Sequence, residues 1–255
     1  MAREAKKESR RVNWRLVLAA IGLGAAGVST AMAAYQVRRF VFTDPQFQFS
    51  RGREGALTIV GLQYASRARV LRTFTTDFNH SVFAIPLAER RRRLLAIDWV
   101  EDASISRIWP DRLVVHIRER KPVAFVFFRS GVLLIDPDGV LLEPPAQAQF
   151  TFPVLSGVGE DETEVQRRAR VGALLEVEHD LGALATDVSE VNAGDLENIQ
   201  IVAQVNHHTM ELALGDTNFA RRYQNFVNHY PEILKRSPEV KMFDLRLDDR
   251  ITAKQ

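Results

Sequence analysis

The chain has 255 residues, 46% of them hydrophobic and 26% charged, with a formal net charge of +2. These are ordinary values for a folded protein of one large or two small domains, and a charge so near balance gives no argument for nucleic acid as a partner. There is no cysteine, which excludes a disulfide framework, thiol catalysis and cysteine-ligated zinc.

Residues 1–15 carry six basic side chains (Arg3, Lys6, Lys7, Arg10, Arg11, Arg15) and two acids (Glu4, Glu8). From Leu16 to Val37 there is then no charge for 22 residues. At about 1.5 Å per residue a helix of that length just matches a hydrocarbon core of roughly 30 Å. Trp14 and Tyr35 lie near its ends, and the basic tail favours an orientation with the N-terminus inside. The predicted arrangement is a basic cytoplasmic tail over 1–15 and a transmembrane helix over 16–37. A cleavable export signal is the competing reading, with Ala31-Met32-Ala33 as the processing site before Ala34. Both readings put Phe40 onwards outside the cytoplasm.

Residues 38–54 read as a linker, with Asp44-Pro45 and Gly52 as breakers and Phe47 and Phe49 in a short strand. Ala56–Val60 is a short apolar strand ended by Gly61. Ser66 is placed to cap a helix with Val70, Leu71, Phe74 and Phe78 on one face. Val82–Ile85 reads as extended, and Pro86 starts a second helix in which Glu89 and Arg93 pair across one turn. Arg90-Arg91-Arg92-Arg93 spread around that helix and predict a solvated face rather than a phosphate site.

Trp99 to Ala124 reads as a β-hairpin. Residues 103–108 and 113–118 alternate, and Trp109-Pro110-Asp111-Arg112 supplies the turn, with proline at its second position. Further strands are predicted at 125–128, 132–135 and 140–142, the last two joined by the Asp136-Pro137-Asp138-Gly139 turn. That turn has no calcium-loop spacing behind its acids. Thr163 or Asp161 caps a helix to about Leu184, with Leu174, Val177, Leu181 and Leu184 as its stripe. Strands follow at 188–192, 199–205 and 210–214. The last two are joined by Asn206–Thr209, whose adjacent His207 and His208 lack a third metal ligand. Asn218 is placed to cap an aromatic helix carrying Tyr223, Phe226 and Tyr230. Residues 240–247 form the last predicted strand, with Phe243, Leu245 and Leu247 on one face and Asp244 and Arg246 on the other.

Several of these stretches resemble one family. They include Val60-Gly61, Phe83–Ile85, Trp99-Val100, Ala103, Arg107, Trp109-Pro110, Leu113, Glu119-Arg120 and Pro122-Val123-Ala124. The run continues through Asp136, Gly139, Pro153–Gly157, Leu214-Gly215, Arg221-Arg222, Phe226, Tyr230-Pro231 and Phe243–Arg246. Together they resemble the bacterial cell-division family FtsQ/DivIB, over roughly residues 55–250.

The resemblance implies an α+β chain. A transmembrane helix precedes a POTRA domain of β-α-α-β-β order over 55–124, and a second mixed β domain with two packed helices covers 125–255. It implies a single-pass type II protein of the inner membrane at the division septum. Such a protein is a non-enzymatic scaffold, with no catalytic residue, cofactor or metal. It joins FtsB- and FtsL-like small coiled-coil membrane proteins and helps control septal peptidoglycan synthesis.

Partner capture is expected by strand addition to an edge at Val240–Leu247. Tyr223, Tyr230, Phe243, Asp244, Leu245, Arg246, Leu247 and Asp249 are the expected contacts, and proline at Leu245 is the expected disruption. Trp99, Arg107, Trp109, Pro110, Glu119, Arg120 and Pro122 are expected to have architectural roles. Leu247 and Asp249-Arg250 depart from a Tyr and Gly common in the family tail. The rival functions are an exported soluble protein released after Ala33 and a POTRA protein of outer-membrane export. The first lacks any motif for nucleophile, metal or phosphate chemistry, and the second lacks a barrel after Ala124.

Overall fold

The computed structural model of the chain describes residues 14–146 and 148–254, without the side chains of Leu16, Val17 and Ala20. The basic tail up to Arg11 lies outside the described residues. The chain divides into two compact units. Among the described residues one comprises 14–60, 68–94 and 103–116, and the other 61–67, 95–102, 117–146 and 148–254.

In the first unit, helix α1 (Trp14–Thr43) is 30 residues long. It runs past the uncharged stretch through Arg38 and Arg39. Among the described residues no helix is long and apolar enough to cross a membrane. The segment expected as a linker is largely built into the unit. A single 3-10 turn (Pro45–Phe47) follows α1, capped by the Asp44 carboxylate. Phe47 and Phe49 are fully buried, and Gln48 bridges to Ser81.

Strand β1 (Leu57–Val60) runs parallel to β3 (Arg112–Glu119), which lies between β1 and β2 (Val100–Ile108) in a three-stranded sheet. Alternation holds on β3, where Leu113, Val115 and Ile117 are buried. The turn between β2 and β3 is residues 109–111, with a cis Trp109–Pro110 peptide. Helix α2 is shorter than its apolar spacing predicts, spanning Arg67–Arg72, and leaves Leu71 exposed and Phe74 beyond its end. Residues 82–85 turn rather than extend.

Helix α3 (Leu87–Leu95) holds the four-arginine run, whose predicted solvated face is corrected at its first residue. Arg90 is 6% exposed and donates from Nε and Nη2 to the Asp77 carboxylate at 2.6 and 2.7 Å. Arg91 Nε reaches the Ala103 carbonyl at 2.7 Å, and Arg93 pairs with Glu89 at 2.5 Å.

The second unit is built on a nine-stranded sheet ordered β12-β11-β10-β9-β8-β7-β4-β5-β6. Its strands are β4 (Ala124–Phe128), β5 (Gly131–Ile135), β6 (Leu141–Leu142), β7 (Val154–Ser156), β8 (Val188–Asn192), β9 (Ile199–Val205), β10 (His208–Gly215), β11 (Met242–Asp244) and β12 (Thr252–Lys254). Parallel neighbours need a long crossover, and two helices supply it. Helix α4 (Glu164–Leu181) joins β7 to the parallel β8, and α5 (Phe219–Arg236) joins β10 to the parallel β11.

Thr163 and Gln166 form a full capping box at the start of α4. Asn218 precedes α5 in the left-handed conformation (φ 57°) and makes no side-chain cap, so its predicted role is corrected. The Ala220 amide of that first turn is instead satisfied by Asp180 Oδ2 at 2.9 Å. Val171, Leu174, Val177 and Leu181 of α4 and Phe219, Phe226 and Tyr230 of α5 share one core with Val191, Ile201, Leu212 and Phe243 of the sheet.

Candidate functional site

Of the residues that carry the hairpin motif, Arg107, Glu119 and Trp99 hold backbone in place. Arg107 donates from Nε to the Val82 carbonyl and from Nη2 to that of Ile85, both at 2.7 Å. Glu119 accepts the amides of Gln63, Tyr64 and Ala65 at 2.9, 2.9 and 2.7 Å. That arrangement orders the loop before α2. Arg120 Nη1 pairs at 2.7 Å with Asp136, which is 2% exposed and also takes the amides of Asp138 and Val140. The acids of the 136–139 turn are thus used internally. Trp99 Nε1 donates to the Glu143 carbonyl at 3.0 Å, and Pro122 is buried. At Gly61 (φ 88°) a Cβ would stand 2.0 Å from the Ile117 carbonyl oxygen, so only glycine fits there. Trp109 is largely exposed, at 66%.

At the C-terminal end of the sheet the strand expected over 240–247 is three residues long and is not an edge. β11 lies between β10 and β12, in register Leu212↔Phe243 on one side and Phe243↔Ala253 on the other. The bend at Leu247–Arg250 turns the chain back so that Thr252–Lys254 covers β11. Proline at Leu245 would therefore remove the bond from the Leu245 amide to the Ala213 carbonyl (2.9 Å), inside the domain.

Of the expected contact residues, Tyr223, Tyr230, Phe243 and Leu245 are buried in the core at 2% exposure or less. Asp244 is partly buried, and Arg246, Leu247 and Asp249 are exposed. Burial pushes the Tyr223 phenol up to about 12 and the Tyr230 phenol upward as well. Both hydroxyls lack a hydrogen-bond partner among the described residues.

The open edge is β12. The Lys241 carbonyl and the Leu245 amide both bond to β10. Alternation then turns the backbone groups of Met242 and Asp244 toward β12, opposite Lys254 and Thr252. The amide and carbonyl of Ala253 are left facing outward, with no strand beyond them among the described residues. No run of sequence pattern announced this strand, which is three exposed residues long.

Grooves flank the edge on both faces. One of about 330 Å³ lies between α5 and β12, lined by His229, Glu232, Ile233, Arg236, Phe243, Ile251 and Ala253. The other, about 370 Å³, is lined by Asp244, Arg246, Leu247, Arg250 and Thr252. In it the Asp244 carboxylate accepts Arg246 Nε and Nη2 at 2.9 and 2.6 Å and faces Lys254 Nζ at 3.4 Å. The Arg246 guanidinium holds the Asp244 carboxyl well below the usual carboxylate range. Asp248, bonded by Arg222 at 2.8 Å, is likewise lowered. Among the described residues no group of acids and histidines is placed to hold a metal.

The family model for the POTRA domain, FtsQ-type, matches residues 55–120, and that for the FtsQ/DivIB C-terminal domain matches residues 124–246. The cell division protein FtsQ of Koribacter versatilis is 32% identical over 253 residues, covering 97% of this chain and 71% of that protein. The chain belongs to the FtsQ/DivIB family.

FtsQ of Zymomonas mobilis is 34% identical over 113 residues, 42% of this chain and 36% of that one. FtsQ of Coxiella burnetii is 28% identical over 153 residues, 60% and 58% of the two chains. A structure of the major extracytoplasmic domain of DivIB from Geobacillus stearothermophilus overlaps 46% of this chain and 92% of that one at 23% identity, with a TM-score of 0.28. That last overlap supports no further argument. FtsQ-type architecture accounts for the ordered appearance of the motifs in both units, and the POTRA expectation of the sequence holds over 55–120.

Proposed function

We propose that this FtsQ/DivIB-family chain is a non-catalytic division scaffold. It captures an FtsB- or FtsL-like single-pass partner by adding one strand of that partner to the open edge of β12. The observation that carries the reading is the outward row at Ala253, bounded by an apolar groove on one face and a charged groove on the other. A strand added there bonds to the backbone of Ala253, and its alternating side chains enter the two grooves. The charged turn Asp248-Asp249-Arg250 beside it discourages self-pairing of the edge. Buried Tyr223, Tyr230, Phe243 and Leu245 support the edge from behind, while Arg246, Leu247 and Asp249 remain available to the partner.

The reading includes a membrane anchor in α1, with the bulk of the chain outside the cytoplasm at the septum. The described part of α1 falls short of a span. The support is the whole uncharged stretch Leu16–Val37, in which Leu16, Val17 and Ala20 carry no described side chain.

The test is Ala253→Pro in the full chain, assayed for binding to the FtsB-like protein of the same cell. Proline is tolerated where an edge amide faces solvent, so the fold should survive. The lost donor and the ring on the outer face should weaken binding by at least about tenfold. Undiminished binding would refute strand addition at β12.

A further inference from the structure

The first unit carries an exposed aromatic patch that strand addition does not use. Phe47, fully buried, is the hub of a ring cluster: Phe40 stands edge-on at 5.6 Å, Phe83 at 5.6 Å and Trp109 at 5.2 Å. Two of these rings, Phe40 and Trp109, turn half or more of their surface outward, at 50% and 66% exposure. Ile108, next to Trp109 in the sequence, and Phe42, two residues after Phe40 and so on another side of α1, are exposed at 40% and 45%. Scattered apolar side chains on a surface are ordinary, but rings from two elements meeting over one buried hub are not scattered.

The C-terminal end of α1 is fastened to the unit at the same place. Ser81 Oγ donates to the Val41 carbonyl at 2.8 Å, and just past the helix the Val82 amide bonds to the Phe47 carbonyl at 2.9 Å. The hairpin tip is therefore held at a fixed height beside the end of the helix. Phe40 comes three residues after Val37, where the uncharged stretch ends, a rise of about 4.5 Å. The polar layer on each side of the hydrocarbon is roughly 5–7 Å deep. Arg38, Arg39 and Arg112 are exposed, and Arg38 lies over the Phe42 ring at 5.8 Å. Asp111, the acid at the hairpin tip, is paired with Arg53. The other acid here, Asp44, caps the following turn through the Gln46 amide, and aromatic rings interleaved with cations are the chemistry that settles at a lipid headgroup layer.

We propose that Trp109 at the tip of the β2–β3 hairpin and Phe40 at the end of α1 form one seat, with Phe42 at nearly the same height on another side of the helix, that beds the first unit into the headgroup layer of the bilayer. The proposal rests on the reading of α1 as a membrane anchor. The seat fixes the tilt and height of the first unit over the membrane, where an anchor joined by a free linker would leave both undetermined.

The chain has no cysteine, so single introduced cysteines label cleanly. Ile108→Cys reports the seat and Ala26→Cys reports the middle of α1. Each full-length variant, carrying an environment-sensitive fluorophore, is reconstituted into vesicles of equimolar phosphatidylcholine and phosphatidylglycerol. Nitroxide lipids are then added with the spin label either near the headgroup or near the chain end. The label at residue 108 should be quenched at least about twofold by the shallow nitroxide, and the label at residue 26 by the deep one. Adding Trp109→Ser should return the residue-108 label to the emission of a solvent-exposed site. Quenching at residue 26 without quenching at residue 108 overturns the seat and leaves the anchor standing. Quenching at neither site overturns both.

Discussion

At the scale of single residues, the motif positions are explained by backbone groups that need a partner. Glu119 satisfies three amides of the Gln63–Ala65 loop. Glu119→Ala should cost about 2–4 kcal/mol in denaturant unfolding, and Glu119→Gln less, because an amide oxygen still accepts. The Asp77–Arg90 pair is buried on both sides. Arg90→Ala should cost about 3–5 kcal/mol by stranding the Asp77 charge, whereas replacing both residues with apolar ones of similar volume should be close to neutral.

Asp244 sets a pH dependence of known sign. Its carboxyl is held down first by the Arg246 hydrogen bonds. The stability it contributes is complete above the unfolded carboxylate value of about 3.9 and is lost as pH falls through the lower folded value. Asp244→Asn should therefore flatten the fall in thermal midpoint below about pH 4.

The Asp77–Arg90 pairing was not legible in the sequence, because the two residues stand thirteen positions apart, in a helix and in a turn. A run of four arginines looks solvated until tertiary packing selects one of them. The Trp-Pro hairpin and the capping residue Thr163 were legible because their chemistry is local.

At the scale of elements, periodicity located β9 at 199–205, β8 at 188–192 and the stripe of α5 correctly. It failed at the last strand. Phe243 and Leu245 are apolar because they face α5 and the core, and that same alternation over 240–247 made an interior strand look like a terminal one. β12 has three exposed residues and one apolar neighbour, Ile251, so no burial pattern marks it; its register comes from the turn before it. The element scale also separates two prolines that look equivalent in the sequence. Leu245→Pro removes a bond to β10 and should lower the midpoint of the second unit's unfolding markedly. Ala253→Pro removes only an outward donor and should leave thermal unfolding within about 2 °C of the parent. Calorimetry of the two variants checks both.

At the scale of the whole molecule, FtsQ/DivIB membership rests on motifs distributed through both units and on a relative aligned along 97% of the chain. The order of domains was legible because motif order survives where pairwise identity is low. The way α1 is built into the first unit was not, since Phe47 and Phe49 read as linker residues until their burial is seen. The central claim is that a partner strand completes the sheet at β12, and the amide of Ala253 reports on it most directly. In the free chain, the amides of Thr252 and Lys254 should exchange slowly against β11 and that of Ala253 fast. On binding of the FtsB-like partner, exchange at Ala253 should slow at least about tenfold, with Thr252 and Lys254 little changed. An Ala253 amide that exchanges equally fast in the free chain and in the saturated complex would contradict the account.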